Sequence, residues 1–190
     1  MSKKDQDAII LATPSDHIIP DYDIFNQAIK SGLKQLHLGK MVSFAISPTR
    51  AETGYGYMLL KEDQSDNDGE CFDVAKFIEK PEKAIAEKMV KNGYYYWNAG
   101  IFLFRAKDMI KAFKSYEPDT FKLVNKSLET AEADLNFLRL NPSVWQKIKG
   151  ASIDYSIMEK IKDLKAVVYQ SKWSDLGDWD AKWEETKSGA

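Results

Sequence analysis

Only one of the 190 residues is a cysteine, Cys71, so no disulfide can form within the chain and a reducing compartment suits it. A charge of one sign is missing too. Lysine and arginine total 27 against 29 acids, a formal net charge of −2. No global field draws nucleic acid, so any phosphate site must be local. Long apolar runs are absent. The N-terminal run, Ala8 to Ala12, is too short for a signal-peptide core or a membrane span. A cytoplasmic protein with no nucleic-acid or membrane partner is therefore expected. The two histidines, His17 and His37, lack cysteine or histidine neighbours at zinc-ligand spacing. There is no Gly-x-Ser-x-Gly elbow, no internal repeat and no low-complexity linker.

What is present is an ordinary globular composition, 44% hydrophobic and 29% charged, in a chain long enough for one substantial core. Residues 1–190 are read as a single domain. Ala8 to Ala12 reads as a buried strand running into the turn Thr13-Pro14-Ser15-Asp16-His17. Asp21 or Asp23 can cap a helix to about Leu38, with Phe25, Ala28, Ile29, Leu33 and Leu36 as its buried stripe and Gly39 as its stop. Val42 to Ile46 is the next buried strand. Strand, helix and strand predict a right-handed parallel crossover.

Extended runs from Thr53 to about Glu62 and from Cys71 to Glu79, around an acidic loop from Gln64 to Glu70, predict a β-hairpin. Pro81 is placed in the first turn of a helix reaching about Lys91. The aromatic cluster Tyr94 to Trp97 leads into a strand from Ile101 to Phe104. Helices are expected from Lys107 to about Ser115 and from Thr120 to about Ala133. Asp134 to Val144 carries no readable pattern. Ser152 can cap a helix with Ile153, Ile157, Met158 and Ile161 on one side. Ala166 to Tyr169 is a last strand. A closing helix to about Thr186 follows, with Asp178 as its cap.

Several residues can carry chemistry, each beside a plainer reading. In open α/β sheets, ligands sit beyond the carboxyl ends of strands. There Asp16 either caps a helix or holds a divalent cation against a phosphate, since Mg²⁺ takes hard oxygens and one or two carboxylates. Asp175 also follows an apolar run. Alone either acid is a cap; converging, the two supply the one cation site this sequence offers. Gly54-Tyr55-Gly56 is an ordinary turn or a place where a ligand nears the backbone. Its spacing is not a dinucleotide fingerprint. Glu79 and Lys80 are a surface pair, or a carboxylate for sugar hydroxyls beside an ammonium for phosphate. Neighbouring side chains of a regular strand face opposite sides, so both reach one ligand only if the chain bends at Pro81. In Trp97-Asn98-Ala99-Gly100 the aromatics are core, or Asn98 bonds a sugar at the strand mouth.

Six blocks occur in one order: Pro14-Ser15-Asp16-His17, Glu52-Thr53-Gly54-Tyr55-Gly56-Tyr57, Phe77-Ile78-Glu79-Lys80-Pro81, Trp97-Asn98-Ala99-Gly100, Ser152-Ile153-Asp154-Tyr155 and Trp173-Ser174-Asp175-Leu176-Gly177-Asp178-Trp179. In this the chain resembles, from about Asp7 to Trp183, the mannose-1-phosphate guanylyltransferases, or GDP-mannose pyrophosphorylases. The likeness is to the bacterial type often fused to a phosphomannose isomerase. It implies an α/β fold, a Rossmann-like mixed sheet of the nucleotide-diphospho-sugar transferase type. It implies that GTP and mannose 1-phosphate give GDP-mannose and pyrophosphate with Mg²⁺. Asp16 and Asp175 match the metal-binding, catalytic aspartates. Gly56 would lie against the sugar, Glu79 would bind its hydroxyls, Lys80 its phosphate and Asn98 its ring, with Lys80 also catalytic. Asp154 matches a residue near the substrate.

The family's first strand, its Gly-rich loop with an arginine and its base-reading segment have no counterpart here, since seven residues precede the first strand. The chain is expected to lack the N-terminal nucleotide-binding segment and to turn over weakly or not at all by itself. Uncovered strand edges would favour a homo-oligomer or a complementing N-terminal chain. A non-catalytic sugar-phosphate-binding or regulatory protein is the alternative.

Overall fold

A computed structural model describes residues 5–65 and 71–175. In chain order the elements are β1 (Ile9–Ala12), β2 (His17–Ile18), α1 (Tyr22–Leu36), β3 (Val42–Ile46), β4 (Tyr57–Ser65) and β5 (Cys71–Ile78). Then come α2 (Lys83–Asn92), β6 (Tyr95–Arg105), α3 (Ala106–Tyr116), α4 (Pro118–Glu129), β7 (Glu132–Asp134) and β8 (Phe137–Arg139). The described part closes with α5 (Pro142–Trp145), α6 (Ile153–Ser156), a 3-10 turn over Met158–Lys160, β9 (Lys165–Val168) and β10 (Ser174–Asp175). The proposed closing helix and its Asp178 cap lie outside the described residues.

Asp21 starts α1: its carboxylate accepts from the Ile24 N–H at 3.1 Å, meeting one of the donors a helix start leaves orphaned. Gly39, at φ +73°, follows its end. Ala28 and Leu36 are buried, while Phe25, Ile29 and Leu33 are part-buried against the same cluster. The crossover is parallel in direction but not in contact. β1 and β3 each pair antiparallel with β6, which lies between them.

The sheet runs β1-β6-β3-β9-β5-β4 and is mixed, because among the described residues β3 and β9 pair in parallel and the other neighbours antiparallel. Val42 to Ile46 is buried throughout, as an interior strand covered on both faces must be. One face carries Phe44, Trp97, Ala99, Ile101 and Leu103 in a cluster with α1 and α2. Phe102 and Phe104 pack with Met109, Ala112, Ile157 and Met158 in another. β1 is not the buried strand expected over Ala8–Ala12: it pairs on one side with β6 at the edge of the sheet, which leaves Ile9 and Leu11 exposed.

Four departures from expectation bear on the site. β6 starts at Tyr95, well before Ile101, because Tyr95, Tyr96 and Trp97 pair with Leu59, Met58 and Tyr57 of β4. Pro81 is not in the first turn of α2; it precedes the N-cap Glu82 and is buried. The helix capped by Ser152 breaks at Ile157, where φ is −128°, and continues as the 3-10 turn. Asp134 to Val144 spans the end of a β7–β8 hairpin and the start of α5. Leu135, Phe137 and Leu138 are exposed there, which removes the periodicity that a buried face imposes.

Candidate functional site

The site is built on an irregularity in β6. Between Ser43 and Ala45, β3 advances two positions while its partners on β6 run from Phe102 to Asn98. The surplus is a bulge at Gly100, whose φ of +67° favours glycine over residues with a Cβ. Asn98 fills the gap in the ladder: its Oδ1 accepts from the Gly100 N–H at 3.1 Å and from the Ser43 hydroxyl at 2.9 Å. With Oδ1 held in this way, Nδ2 points outward and donates to Asp154 Oδ1 at 2.9 Å. The other amide hydrogen of Asn98 has no acceptor among the described residues.

On one side of the bulge stand the two acids singled out in the sequence. A Cβ at Gly100 would lie 3.6 Å from Pro14 and 3.9 Å from His17, so the missing side chain lets that turn approach. β10 pairs antiparallel with β2, setting Asp175 opposite His17 and Ser174 opposite Ile18. Asp175 is thus brought beside the residue that follows Asp16. Burial lowers the pKa of His17, and the charges of Asp175 and Asp16 both oppose that shift. Trp173 donates its indole N–H to His17 Nδ1 at 3.3 Å, which places the proton of a neutral ring on Nε2.

Among the described residues no group of three or more His, Cys, Asp or Glu side chains gathers as a metal cage. Mg²⁺ does not require such a cage. That ion keeps waters and substrate phosphates in its shell and takes only one or two protein carboxylates.

On the other side of the bulge, four more predicted residues meet. The Asn98 N–H bonds the Gly56 carbonyl at 2.8 Å. A Cβ on Gly56 would collide with the Glu79 carboxylate and stand 3.3 Å from Asn98 Cβ. Glu79 is half-buried, and its Oε2 has no hydrogen-bond partner among the described residues. Burial foremost, then the Asp154 charge, pushes the Glu79 pKa up to about 7; Lys80 opposes this and Glu159 adds to it. Burial also raises Asp154, against the hydrogen bonds it accepts and the nearby Lys80 charge.

The chain does bend here, but at Lys80 itself rather than at Pro81, and the Lys80 charge acts on both Glu79 and Asp154. Lys80 has φ +48°, a left-handed conformation costing about 1 kcal/mol for a residue with a side chain. Hydrogen bonds hold it there: the Lys80 N–H to the Tyr55 carbonyl at 3.2 Å and the Glu79 N–H to Glu159 Oε1 at 2.8 Å.

An aromatic row joins the two sides. His17 meets Trp173 edge-on at 5.2 Å, Trp173 meets Tyr55 at 5.4 Å, and Tyr55 meets Trp97 at 5.2 Å. The Arg50 guanidinium lies over Trp97 at 5.7 Å. Ser43 and Glu159 were missed in the sequence. A lone hydroxyl inside the apolar run Val42–Ile46 was a usable signal for Ser43. Glu159 carried none, since its partner is a distant main-chain N–H.

A nucleotidyl transferase family profile matches residues 1–189. The chain is 37% identical over 181 residues to a mannose-1-phosphate guanylyltransferase of Escherichia coli (strain K12), covering 95% of this chain and 38% of that one. A crystal structure of mannose-6-phosphate isomerase from Helicobacter pylori superposes with a TM-score of 0.80 at 31% identity, over 90% of this chain and 65% of that chain. A crystal structure of mannose-1-phosphate geranyltransferase from Thermus thermophilus superposes with a TM-score of 0.78 at 29% identity, over 95% of this chain and 50% of that chain. The chain therefore spans well under half the length of the Escherichia coli relative and half to two-thirds of the two solved chains. The α/β fold with a mixed sheet is the one expected from the resemblance.

Proposed function

This chain belongs to the nucleotidyl transferase family, and we propose that it carries the sugar-phosphate and metal-binding groups of a mannose-1-phosphate guanylyltransferase. The reaction joins GTP and mannose 1-phosphate into GDP-mannose and releases pyrophosphate. The observation that carries the reading is the bulge at Gly100. Pro14 and His17, the neighbours of Asp16 in its turn, come close to Gly100, His17 stands opposite Asp175, and Asn98 meets Gly56 and Asp154, which supports one site drawing on all of these residues.

In this reading Gly56 leaves room for the sugar ring, and the orphaned Glu79 oxygen takes a sugar hydroxyl. Asn98 offers its remaining N–H. Lys80 meets the phosphate with a charge-assisted bond. Asp16 and Asp175 would hold Mg²⁺, which when bound would supply charge neutralisation at the phosphates. A phosphate oxygen of the sugar attacks the α-phosphorus of GTP in line, and pyrophosphate leaves. No protein nucleophile takes part. This chain's share is orientation of the sugar phosphate in a preformed cradle. Cys71 is buried and is the one cysteine in these 190 residues, which supports work in a reducing compartment, the cytoplasm. Among the described residues no helix is long and apolar enough to cross a membrane.

Calorimetric titration of the 190-residue chain with mannose 1-phosphate and Mg²⁺ tests the reading. Saturable binding is expected, weakened about tenfold in Lys80→Ala, the loss of one charge-assisted contact. Glucose 1-phosphate serves as the comparison for sugar choice. Absence of binding to mannose 1-phosphate overturns it.

A further inference from the structure

We propose that Glu159 is a positioning residue for the sugar phosphate: its carboxylate anchors the Glu79–Lys80 turn and keeps the Lys80 ammonium on the side of Glu79 and Asp154. The inference rests on the sugar-phosphate reading above and adds to it a residue that does not touch the ligand.

β5 ends at Ile78, the partner of Tyr57. Beyond that point the Glu79 N–H bonds no strand; it bonds Glu159 Oε1 at 2.8 Å. The next N–H, of Lys80, bonds the Tyr55 carbonyl at 3.2 Å. Two successive amides are thus held from different parts of the fold, and between them the backbone turns left-handed at Lys80. Had the strand run on regularly, the Lys80 side chain would have left on the side opposite Glu79. Instead its charge reaches both Glu79 and Asp154.

Glu159 is itself well placed to act as an anchor. It sits in the 3-10 turn between Met158, which is fully buried, and Lys160, whose ammonium is paired with Glu117 at 2.7 Å. It meets the Glu79–Lys80 turn through the backbone bond that its carboxylate accepts from the Glu79 N–H. Removing the acceptor frees the Glu79 amide, and Lys80 relaxes to the extended conformation that residues with a Cβ prefer. The ammonium then swings away from the phosphate.

The test compares Glu159→Ala, which removes the acceptor, with Glu159→Gln, which keeps an acceptor oxygen and drops the charge. Affinity for mannose 1-phosphate is expected to fall about fivefold in Glu159→Ala, the worth of one such bond, and to stay within about twofold of wild type in Glu159→Gln. Adding Lys80→Ala to Glu159→Ala should cost little more than Lys80→Ala alone, since both remove the same ammonium; independent effects would multiply. Affinity unchanged in Glu159→Ala, equal losses in both Glu159 variants, or multiplying losses each overturn the proposal.

A second readout needs no ligand. The Glu79 carboxyl, followed by carbon NMR, should titrate at higher pH in Glu159→Ala than in Glu159→Gln, because only the former lets Lys80 leave. Equal titration in the two overturns the proposal whatever the ligand does. Failure of wild type to bind mannose 1-phosphate, with the titration difference intact, overturns the sugar-phosphate reading and leaves the anchor standing.

Discussion

Asp175 stands opposite His17 in a two-residue antiparallel pairing, although the two belong to opposite ends of the described chain. So short a ladder contributes little alone. Trp173 adds an indole N–H bond and an edge-on ring contact to the same imidazole. A carboxylate near each end of the chain thus flanks one histidine, and a cation site follows if Asp16 and Asp175 bind together.

Mn²⁺ can report on that site through the histidines. The chain has two, and His37 is the C-cap of α1, a helix about 22 Å long. Substoichiometric Mn²⁺ should broaden the His17 imidazole signals before those of His37. Asp16→Asn or Asp175→Asn should each abolish the preference. Equal broadening of both histidines in wild type would count against a cation at this pair.

Gly56→Ala separates stability from binding. The new Cβ meets the far end of the Glu79 side chain, which can swing aside, so the loss of stability should be about 1 kcal/mol. Glu79 can then no longer hold its place, and affinity for mannose 1-phosphate should drop about tenfold or more. Denaturant melts read the first quantity and calorimetry the second. Unchanged affinity would show that Glu79 is not a ligand group.

Glu79 makes stability depend on pH. Its folded pKa, about 7, lies above its ordinary 4.5, so the folded state holds the proton more tightly than the unfolded chain does. Stability therefore falls as pH rises between those two values, and the cost persists above them. Glu79→Gln should match wild type near pH 4 and exceed it at pH 8. Discounting for the half of the side chain that water screens, the gain should be about 1 kcal/mol. A constant difference across that range, by denaturant titration, would contradict the assignment.

Ser43 and Asn98 should differ in cost. Ser43→Ala removes one of two donors to Asn98 Oδ1 and should cost about 1 kcal/mol. Asn98→Ala leaves the Ser43 hydroxyl, the Gly100 N–H and the Asp154 carboxylate all without that partner, and should cost about 3 kcal/mol. Equal denaturant midpoints for the two variants would show that Asn98 is not the hub of this network.

Local chemistry made much of the fold legible. The Asp21 cap, the apolar run Val42–Ile46 and the hairpin between Tyr57 and Ile78 follow from short-range rules, and the structure contains each of them. The candidate residues were legible as types at strand ends, with the family resemblance to join them. β6 was half-read, since Tyr95 to Trp97 become strand only by pairing with β4. The hairpin β7–β8 was unreadable because its apolar side chains face solvent and keep no period.

By itself, then, the sequence determined which segments are strands and helices over most of the chain, and which side chains could carry charge to a phosphate. The tertiary structure decided the rest: that β6 lies between β1 and β3, that the turn falls at Lys80, that Asn98 is spent mostly on the bulge, and that Glu159 reaches the Glu79 amide. The reason is range. Caps and apolar periods are settled within a few residues, whereas a backbone N–H left over at a strand end takes whatever acceptor the folded chain brings to it.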